Sequence, residues 1–300
     1  MKTTIIYDST LENKYFCQSS LVSLIDMSYF DLLDINQGNF YDRLKKNSNF
    51  IINLVDDGLP YLMGETSLPS ILELLNKDYF GSNPETILLA SNKATYRQFI
   101  QENKLLKLPK HIITKKDTIP YLSINFYPVI VKPVYTTGSI GISHRNIAHN
   151  VADLKIFIEK YNLEIFIIEE YISGNECTIS SMGNSENTLI LPILWYQNDS
   201  INKILTYNAK WEKSSEEYKQ YNKILTEPNE MHRTIMRELN RSLNIQDYSK
   251  ADFIEKDNIY YLIDVSPNPT LTQSSAFIEQ FLFRFKELNK LIPELLKSIK

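Results

Sequence analysis

Two stretches of the chain hold reactive side chains in patterns that could grip a polyphosphate. The first runs Pro128-Val-Ile-Val-Lys132-Pro and continues Val-Tyr-Thr-Thr-Gly138-Ser139-Ile-Gly141. Its β-branched residues read as a buried strand, and a lysine at the mouth of such a strand can lay a compact charge against a phosphate. The following loop offers backbone N–H groups and hydroxyls, the donors that phosphates need. Its glycine spacing fits neither a Walker A loop nor a dinucleotide fingerprint. Taken alone, the stretch reads equally well as a polar hairpin with a snorkelling lysine. Glycine is scarce, eight in 300 residues, so Gly138 and Gly141 together, and Gly174 beyond them, mark backbone that bends or is closely approached.

The second stretch, Ile167-Ile-Glu169-Glu-Tyr171-Ile172-Ser-Gly-Asn-Glu176, is a strand passing into a linker. The backbone and faces of Tyr171 and Ile172 suit a purine, Glu169 could accept from an exocyclic amine, and Glu176 could meet a ribose. A solvated acidic strand end is the commoner fate of paired glutamates. Further on, Asp252 and Asp264 fall on opposite arms of an expected hairpin, with Ser266 and Asn268 as added oxygen donors. Alone, such aspartates usually serve turn chemistry. Beside phosphate-binding candidates, magnesium is the better reading, because it takes a few carboxylate oxygens and completes its shell with phosphates. The histidines (His111, His144, His149, His232) form no ligand pair at metal spacing.

Strands and helices must alternate to position these groups. Thr4–Tyr7 and Phe50–Val55 read as buried strands, and Leu68–Leu75 as a helix that tolerates Pro69 in its first turn. Thr86–Ala90 followed by Ser91-Asn-Lys93 opens a helix to about Lys104, with Ser91 as its candidate cap. Strands at Val129–Val131 and Phe166–Ile168 flank a helix over Val151–Tyr161, and Cys177–Met182 and Leu189–Trp195 read as antiparallel neighbours. Pro228 opens an amphipathic helix with Ile235, Leu239 and Leu243 on one face. Ala251–Ile254 and Ile259–Asp264 form a hairpin about Lys256-Asp-Asn258, and Phe277–Lys300 is helical with a break near Pro293. The expected class is α/β in three lobes, over residues 1–90, 91–178 and 179–300.

Composition is that of an ordinary globular protein, 43% hydrophobic and 23% charged. A net charge of −4 argues against nonspecific nucleic-acid binding. Cys17 and Cys177 alone allow no disulfide framework. The opening Met-Lys-Thr-Thr-Ile-Ile-Tyr-Asp lacks the apolar core of a signal peptide, and no run reaches membrane-spanning length. A cytoplasmic protein with no membrane or nucleic-acid partner is expected.

Together these words resemble the ATP-grasp superfamily, most closely its D-alanine–D-alanine ligase branch, from about Pro60 to Ser275. The resemblance implies a three-lobed fold with ATP between the central and C-terminal lobes. It makes Lys93 and Lys132 the ATP-phosphate lysines, with Gly138 and Ser139 in the glycine-rich loop. Glu169, Tyr171 and Ile172 match the adenine hinge, and Glu176 the ribose position. Tyr207-Asn-Ala-Lys210-Trp matches a mobile loop bringing Lys210 to the γ-phosphate. Asp252, Asp264 and Ser266 fall at metal-ligand positions, for magnesium or manganese, and Lys250 at that of a transition-state arginine. Thr270 and Ser275 lie where an amino-acid substrate is held. The family usually has glutamate at Asp264, asparagine at Ser266, arginine at Lys250 and glycine at Thr270. Its Gly-Gly turn and substrate-anchoring glutamate are not recognisable; Asp8-Ser-Thr10 replaces the turn and Glu12 lies only nearby.

The implied reaction is ADP-forming ligation of a small carboxylate to an amine, both amino acids, through an acylphosphate. Ser139, Lys210 and Lys250 would assist it, in a chain that could pair as a homodimer, as the family commonly does. A small-molecule kinase or a non-catalytic ATP-binding regulator keeps the same nucleotide site, and the replacements at Lys250, Ser266 and Thr270 favour that rival. A membrane-surface or partner-binding protein would instead use the C-terminal amphipathic helix, whose Phe281, Phe283 and Phe285 are more simply a docking face for its own core.

Overall fold

The computed structural model describes residues 2–299 except 15–16, 57, 60–61, 136–141, 144–145, 160–163, 185–187, 199–203 and 213. The expected α/β architecture is built on separate sheets. The first contains β1 (Thr3–Tyr7), β2 (Asp31–Asp34), β3 (Phe50–Asn53) and, after the small hairpin of β4 (Gly58–Leu59) and β5 (Leu62–Met63), β6 (Tyr79–Phe80). Its order is β2-β1-β3-β6, all parallel. Helices α1 (Leu21–Leu24), α2 (Phe40–Lys46), α3 (Ser67–Leu74) and α4 (Pro84–Ser91) connect and follow these strands. A parallel sheet buried on both faces needs continuous apolar strands, and Ile5-Ile6 and Ile51-Ile52 supply them. Ile6 and Ile51 pack with Phe40 and Leu44 of α2 and Leu68 and Leu72 of α3. Ile5 and Ile52 face the other way, onto Phe277, Phe281 and Leu295 from the C-terminal helices, which therefore roof the first sheet.

The second sheet follows α5 (Lys93–Ile100) and comprises β7 (His111–Lys115), β8 (Val129–Pro133), β9 (Ile147–Ala148) and, after α6 (Val151–Glu159), β10 (Ile165–Glu170). It is antiparallel in the order β7-β10-β8-β9. The third sheet contains β11 (Asn175–Met182), β12 (Leu189–Ile190), β13 (Ile193–Gln197), β14 (Asn222–Thr226), β15 (Tyr248–Lys256) and β16 (Ile259–Ser266). These pair antiparallel in the order β14-β13-β11-β15-β16, with β12 on β11. The short α7 (Tyr207–Trp211) and α8 (Glu216–Lys219) lie between β13 and β14, α9 (Glu230–Ser242) precedes β15, and α10 (Ala276–Phe285) and α11 (Leu291–Ser298) end the chain.

Several boundaries differ from expectation for local reasons. Asn92, not Ser91, caps α5, its side chain accepting from the N–H groups of Ala94 and Thr95; Ser91 ends a separate helix capped by Asn83. The helix after Pro228 starts at Glu230, where Asn229 and His232 form a reciprocal capping box. Pro192 separates β12 from β13, as a missing N–H requires. The β15–β16 turn has Asp257 and Asn258 at φ 55° and 62°, matching the twist of a tight hairpin. The C-terminal break falls at Lys286, at φ 68°, while Pro293 sits harmlessly in the first turn of α11. Phe281 stacks on Phe285 inside the core, whereas Phe283 stays partly exposed beneath Lys286.

Gly174 has the close approach its rarity suggested. A Cβ built there would lie 2.3 Å from the Glu255 carbonyl oxygen, backbone that cannot swing aside. Gly174→Ala is expected to cost about 1–3 kcal/mol by overpacking at the junction of β10 and β11. Gly38→Ala, with nothing within 4 Å of the added atom, is expected to stay within about 0.5 kcal/mol. Urea denaturation of the two variants measures the contrast.

Candidate active site

One face of the third sheet carries the chemistry. Residues directly opposite in antiparallel strands share a face, and alternate residues along a strand return to it. Asp252 of β15 pairs with Thr178 of β11 and Asp264 of β16, and Lys250 pairs with Ser180 and Ser266. Glu176 joins the same face two residues before Thr178. The intervening Cys177, Ile179, Ala251, Phe253 and Val265 are buried on the opposite face, against Ile235 and Leu239 of α9. The hairpin therefore does bring both aspartates to one side.

Each acid of this face is matched by a cation from elsewhere. Asp252 accepts from Thr178 Oγ1 at 2.6 Å and from Lys250 Nζ at 3.0 and 2.9 Å. Lys210, on α7, bridges Glu176 at 3.3 Å and Asp252 at 3.4 Å. Lys93, in the first turn of α5, reaches Asp264 at 3.1 Å. Burial opposes the charge of Lys210, but Asp252 and Glu176 outweigh it and hold its pKa above the ordinary lysine value. Burial likewise opposes the charge of Asp252, yet Lys210 and Lys250 hold it below the usual carboxylate range. For Glu176 burial wins, and its pKa is raised.

The second sheet faces this array with Lys132 of β8 and Glu169 of β10, joined at 2.7 Å. Glu169 is fully buried, and its other oxygen is held by Arg97 of α5. Arg97 was not singled out from the sequence, although it stands one helical turn after Lys93 and so shares its face. Glu169 is thus committed to two cations, rather than presenting a spare acceptor to an amine as expected. The cleft between the sheets has Lys93, Lys132 and Lys210 together with the two aspartates, and apolar walls from Ile130, Ile142, Ile172, Leu205, Ile254 and Ile263. Tyr171 N–H donates to the Pro128 carbonyl. Gly138 and Ser139 lie outside the described residues.

A second cavity adjoins the cleft and shares Lys210 with it; Lys223, Lys250, Ser266, Thr270, Ser274 and Ser275 line it with Thr178 and Tyr196. Ser266 borders this cavity, opposite Lys250 on the neighbouring strand. Ser275 serves as the N-cap of α10, its hydroxyl accepting from Ile278 N–H. Asn268 accepts from Ser82 N–H at 2.8 Å. Among the described residues no cluster of three or more His, Cys, Asp or Glu side chains is arranged for a metal, leaving the Asp252–Asp264 pair. No helix among the described residues is long and apolar enough to cross a membrane.

A sheet pair closing over lysines and paired aspartates defines an ATP-grasp enzyme. The model of the D-ala D-ala ligase C-terminus matches residues 95–297. The chain is 31% identical over 280 residues to the D-alanine–D-alanine ligase of Petrotoga mobilis, covering 89% of this chain and 86% of that protein. It is 24% identical to the ligase of Halalkalibacterium halodurans, covering 92% of each. In fold it is similar to the ATP-complexed D-alanine–D-alanine ligase of Bacillus anthracis, with a TM-score of 0.70, 18% identity and coverage of 99% and 97%. A D-Ala:D-Ser ligase from Enterococcus faecalis shares the fold at a TM-score of 0.68 and 15% identity, with coverage of 99% and 98%. The chain belongs to the D-alanine–D-alanine ligase family. It is an ADP-forming ligase that makes carbon–nitrogen bonds, with ATP and magnesium as cofactors.

The buried Arg97–Glu169–Lys132 triad has a measurable pH signature. Burial raises the Glu169 pKa, but Arg97 and Lys132 outweigh it and bring the group down to about 2. A depressed folded pKa contributes stability that is present above the unfolded value of about 4.3 and lost as pH falls through the folded value. Glu169→Gln, which strands two cations, is expected to cost about 3–5 kcal/mol at neutral pH. The gap from the parent protein should narrow at about pH 3, as the parent's own carboxyl begins to protonate. Denaturant titrations at both pH values test this.

Proposed function

We propose that this chain joins two amino acids into a dipeptide, with the residues of the paired-sheet cleft in defined roles. Lys93, Lys132 and Lys210 receive the ATP phosphates, and the loop bearing Gly138 and Ser139 covers them. The Glu169–Ile172 strand end borders the adenine, with Tyr171 and Ile172 in contact and Glu169 acting through Lys132. Glu176 takes the ribose, Asp252 and Asp264 hold magnesium, and Ser266, Thr270 and Ser275 line the amino-acid side. One observation carries the reading: Asp252 and Asp264 stand directly opposite each other, ringed by lysines from α5, α7 and β15. Their donor set suits magnesium, which takes two carboxylates and leaves its remaining positions to phosphate and water. The apolar slot with lysines at one end suits a nucleotide.

When bound, ATP phosphorylates the first acid's carboxylate with release of ADP, and the second amino acid's amine displaces phosphate to form the amide. The protein's own contribution is positioning and charge. Lys132 and Lys93, partnered by Glu169 and Asp264, hand their charge to the incoming phosphates. Lys210, on α7 between the cleft and the second cavity, is placed to follow negative charge from one to the other. Lys250 borders the cavity where the amide forms and supplies a point charge to the developing oxyanion, without the fork of an arginine. Shielding by α7 keeps water from the activated acid.

The three-lobed division belongs to this proposal, with its last boundary moved ahead of Asn175, which already pairs in the third sheet. So do a cytoplasmic setting and a homodimer; light scattering should then return about twice the 35.0 kDa chain mass. Lys132→Ala should lower ADP formation by about a hundredfold or more, as expected when a group compensating transferred phosphoryl charge is removed. Asp264→Asn should raise the magnesium needed for half-maximal rate. A coupled ADP assay over a magnesium series reads both, and a mass-spectrometric screen of amino-acid pairs identifies the condensed product. ADP release that needs only one amino acid would favour a kinase instead.

A further inference from the structure

One cation of the catalytic face has no part in the reaction described above. Lys223 stands on β14 directly opposite Tyr196 of β13, and Tyr196 stands opposite Glu176 of β11. Residues so paired share a face, so Lys223 issues from the same side of the sheet as Glu176, Thr178 and Asp252. It borders the second cavity together with Lys210 and Lys250, and no carboxylate borders that cavity among the described residues. Lys210 and Lys250 are engaged by Glu176 and Asp252, which line the neighbouring cleft. Lys223 is held instead by Glu279, in the first turn of α10, at 2.6 Å, with its side chain 27% exposed. An ammonium has three N–H donors, and this contact uses one of them. The same cavity is bordered by Ser274, whose Oγ is buried with no hydrogen-bond partner among the described residues, and by the small side chain of Ala276. A buried hydroxyl of that kind costs stability until something pairs with it.

A chamber bordered by lysines and by no acid takes an anion. Which anion follows from the ligase reading above, on which this inference rests. β13 and β11 separate β14 from β15, so the backbones of Lys223 and Lys250 lie about 14 Å apart across the sheet. The attacking amine must lie at the end of Lys210 and Lys250, where the acylphosphate and then the oxyanion form. Its α-carboxylate carbon is only two bonds from the amine nitrogen and stays near that end. Lys223 is left for an anion farther along the same molecule, with the Ser274 hydroxyl as a second donor. We propose that Lys223 recognises a side-chain carboxylate on the second, amine-donating amino acid, making that substrate a dicarboxylic amino acid. A neutral side chain leaves Lys223 to Glu279 alone, and a basic one is repelled. The short side chain of Ala276 leaves space for the longer substrate.

The test compares Lys223→Met and Glu279→Gln in the full-length protein, with ATP and the first amino acid saturating. Lys223 lies on an edge strand and the pair is part-exposed, so both variants should fold, as thermal melting checks. The parent should condense glutamate or aspartate in the second position more efficiently than alanine. Tandem mass spectrometry should place the acidic residue at the C-terminal end of the dipeptide. Lys223→Met should raise KM for the acidic amino acid by about 10- to 100-fold, leaving KM for alanine and for ATP unchanged. Glu279→Gln, which removes the competing carboxylate, should lower KM for the acidic amino acid. A lysine serving only its ion pair would be affected alike by both variants, so shifts of the same sign overturn the proposal. It also fails if the parent shows no preference for acidic amine donors, or if KM for alanine rises as much in Lys223→Met. Should no amino-acid pair release ADP, the ligase reading fails instead. Calorimetric titration of glutamate, with ADP and magnesium present, then decides the matter: binding by the parent but not by Lys223→Met supports the proposal, and titrations alike in the two proteins overturn it.

Discussion

A carboxylate placed in the middle of a sheet, out of reach of water, is the constraint around which this molecule is organised. Glu169 sits on β10, the strand flanked by β7 and β8, with no solvent exposure. An ionised group there is tolerable only if cations meet it. Arg97 meets it from α5 and Lys132 from β8. The same turn of α5 also reaches the third sheet. Tyr96 and Arg97 donate to the Ile263 carbonyl at 3.3 Å, and Lys93 pairs with Asp264. Satisfying one buried charge thereby fixes the helix that spans both walls of the cleft, and with it two of the lysines that line it.

The remaining charges are arranged for exchange rather than for permanent pairing. Lys210 divides itself between Glu176 and Asp252 at 3.3 and 3.4 Å, longer than the contact of a committed pair. Asp252 holds Lys250 more closely. Under the proposed roles, a polyphosphate would compete with the carboxylates for Lys93 and Lys210, and a divalent cation would compete with the lysines for Asp252 and Asp264. Because these groups are already desolvated and paired in the folded protein, much of the cost of burying them is borne in folding rather than in binding.

The sequence displayed this plan unevenly. Strand words with a buried alternation, such as the one ending at Lys132, could be read directly, and a turn like Asp257-Asn258 announces a hairpin whose register puts Asp252 opposite Asp264. Gly174 was legible because glycine is scarce. Long-range partners were not: Arg97 and Glu169 are distant in the chain, and nothing local signals that a glutamate in an acidic pair will be buried. Helical spacing from Lys93 would have pointed to Arg97's face but not to its partner. The misplaced helix boundaries have a different origin. Ser91 and Asn92 are both good caps and only backbone geometry selects between them, while Lys286 adopts the left-handed conformation at a position where no glycine advertises it.

The departures from the family pattern are not scattered at random over the site. Lys250, Ser266 and Thr270 all border the second cavity, whereas Lys93, Lys132, Glu169 and Glu176 border the paired-sheet cleft. Asp264 is the exception on the cleft side, and it retains a carboxylate. A chain that had become a passive nucleotide sensor would have no use for Lys210 between the two chambers, or for an Asp252 anchored by Thr178, Lys210 and Lys250 at once. Holding those charges in a buried position costs folding energy with no return unless phosphoryl chemistry takes place beside them. On the proposed roles, the changes gather on the amino-acid side and leave the lysines of the paired-sheet cleft in place.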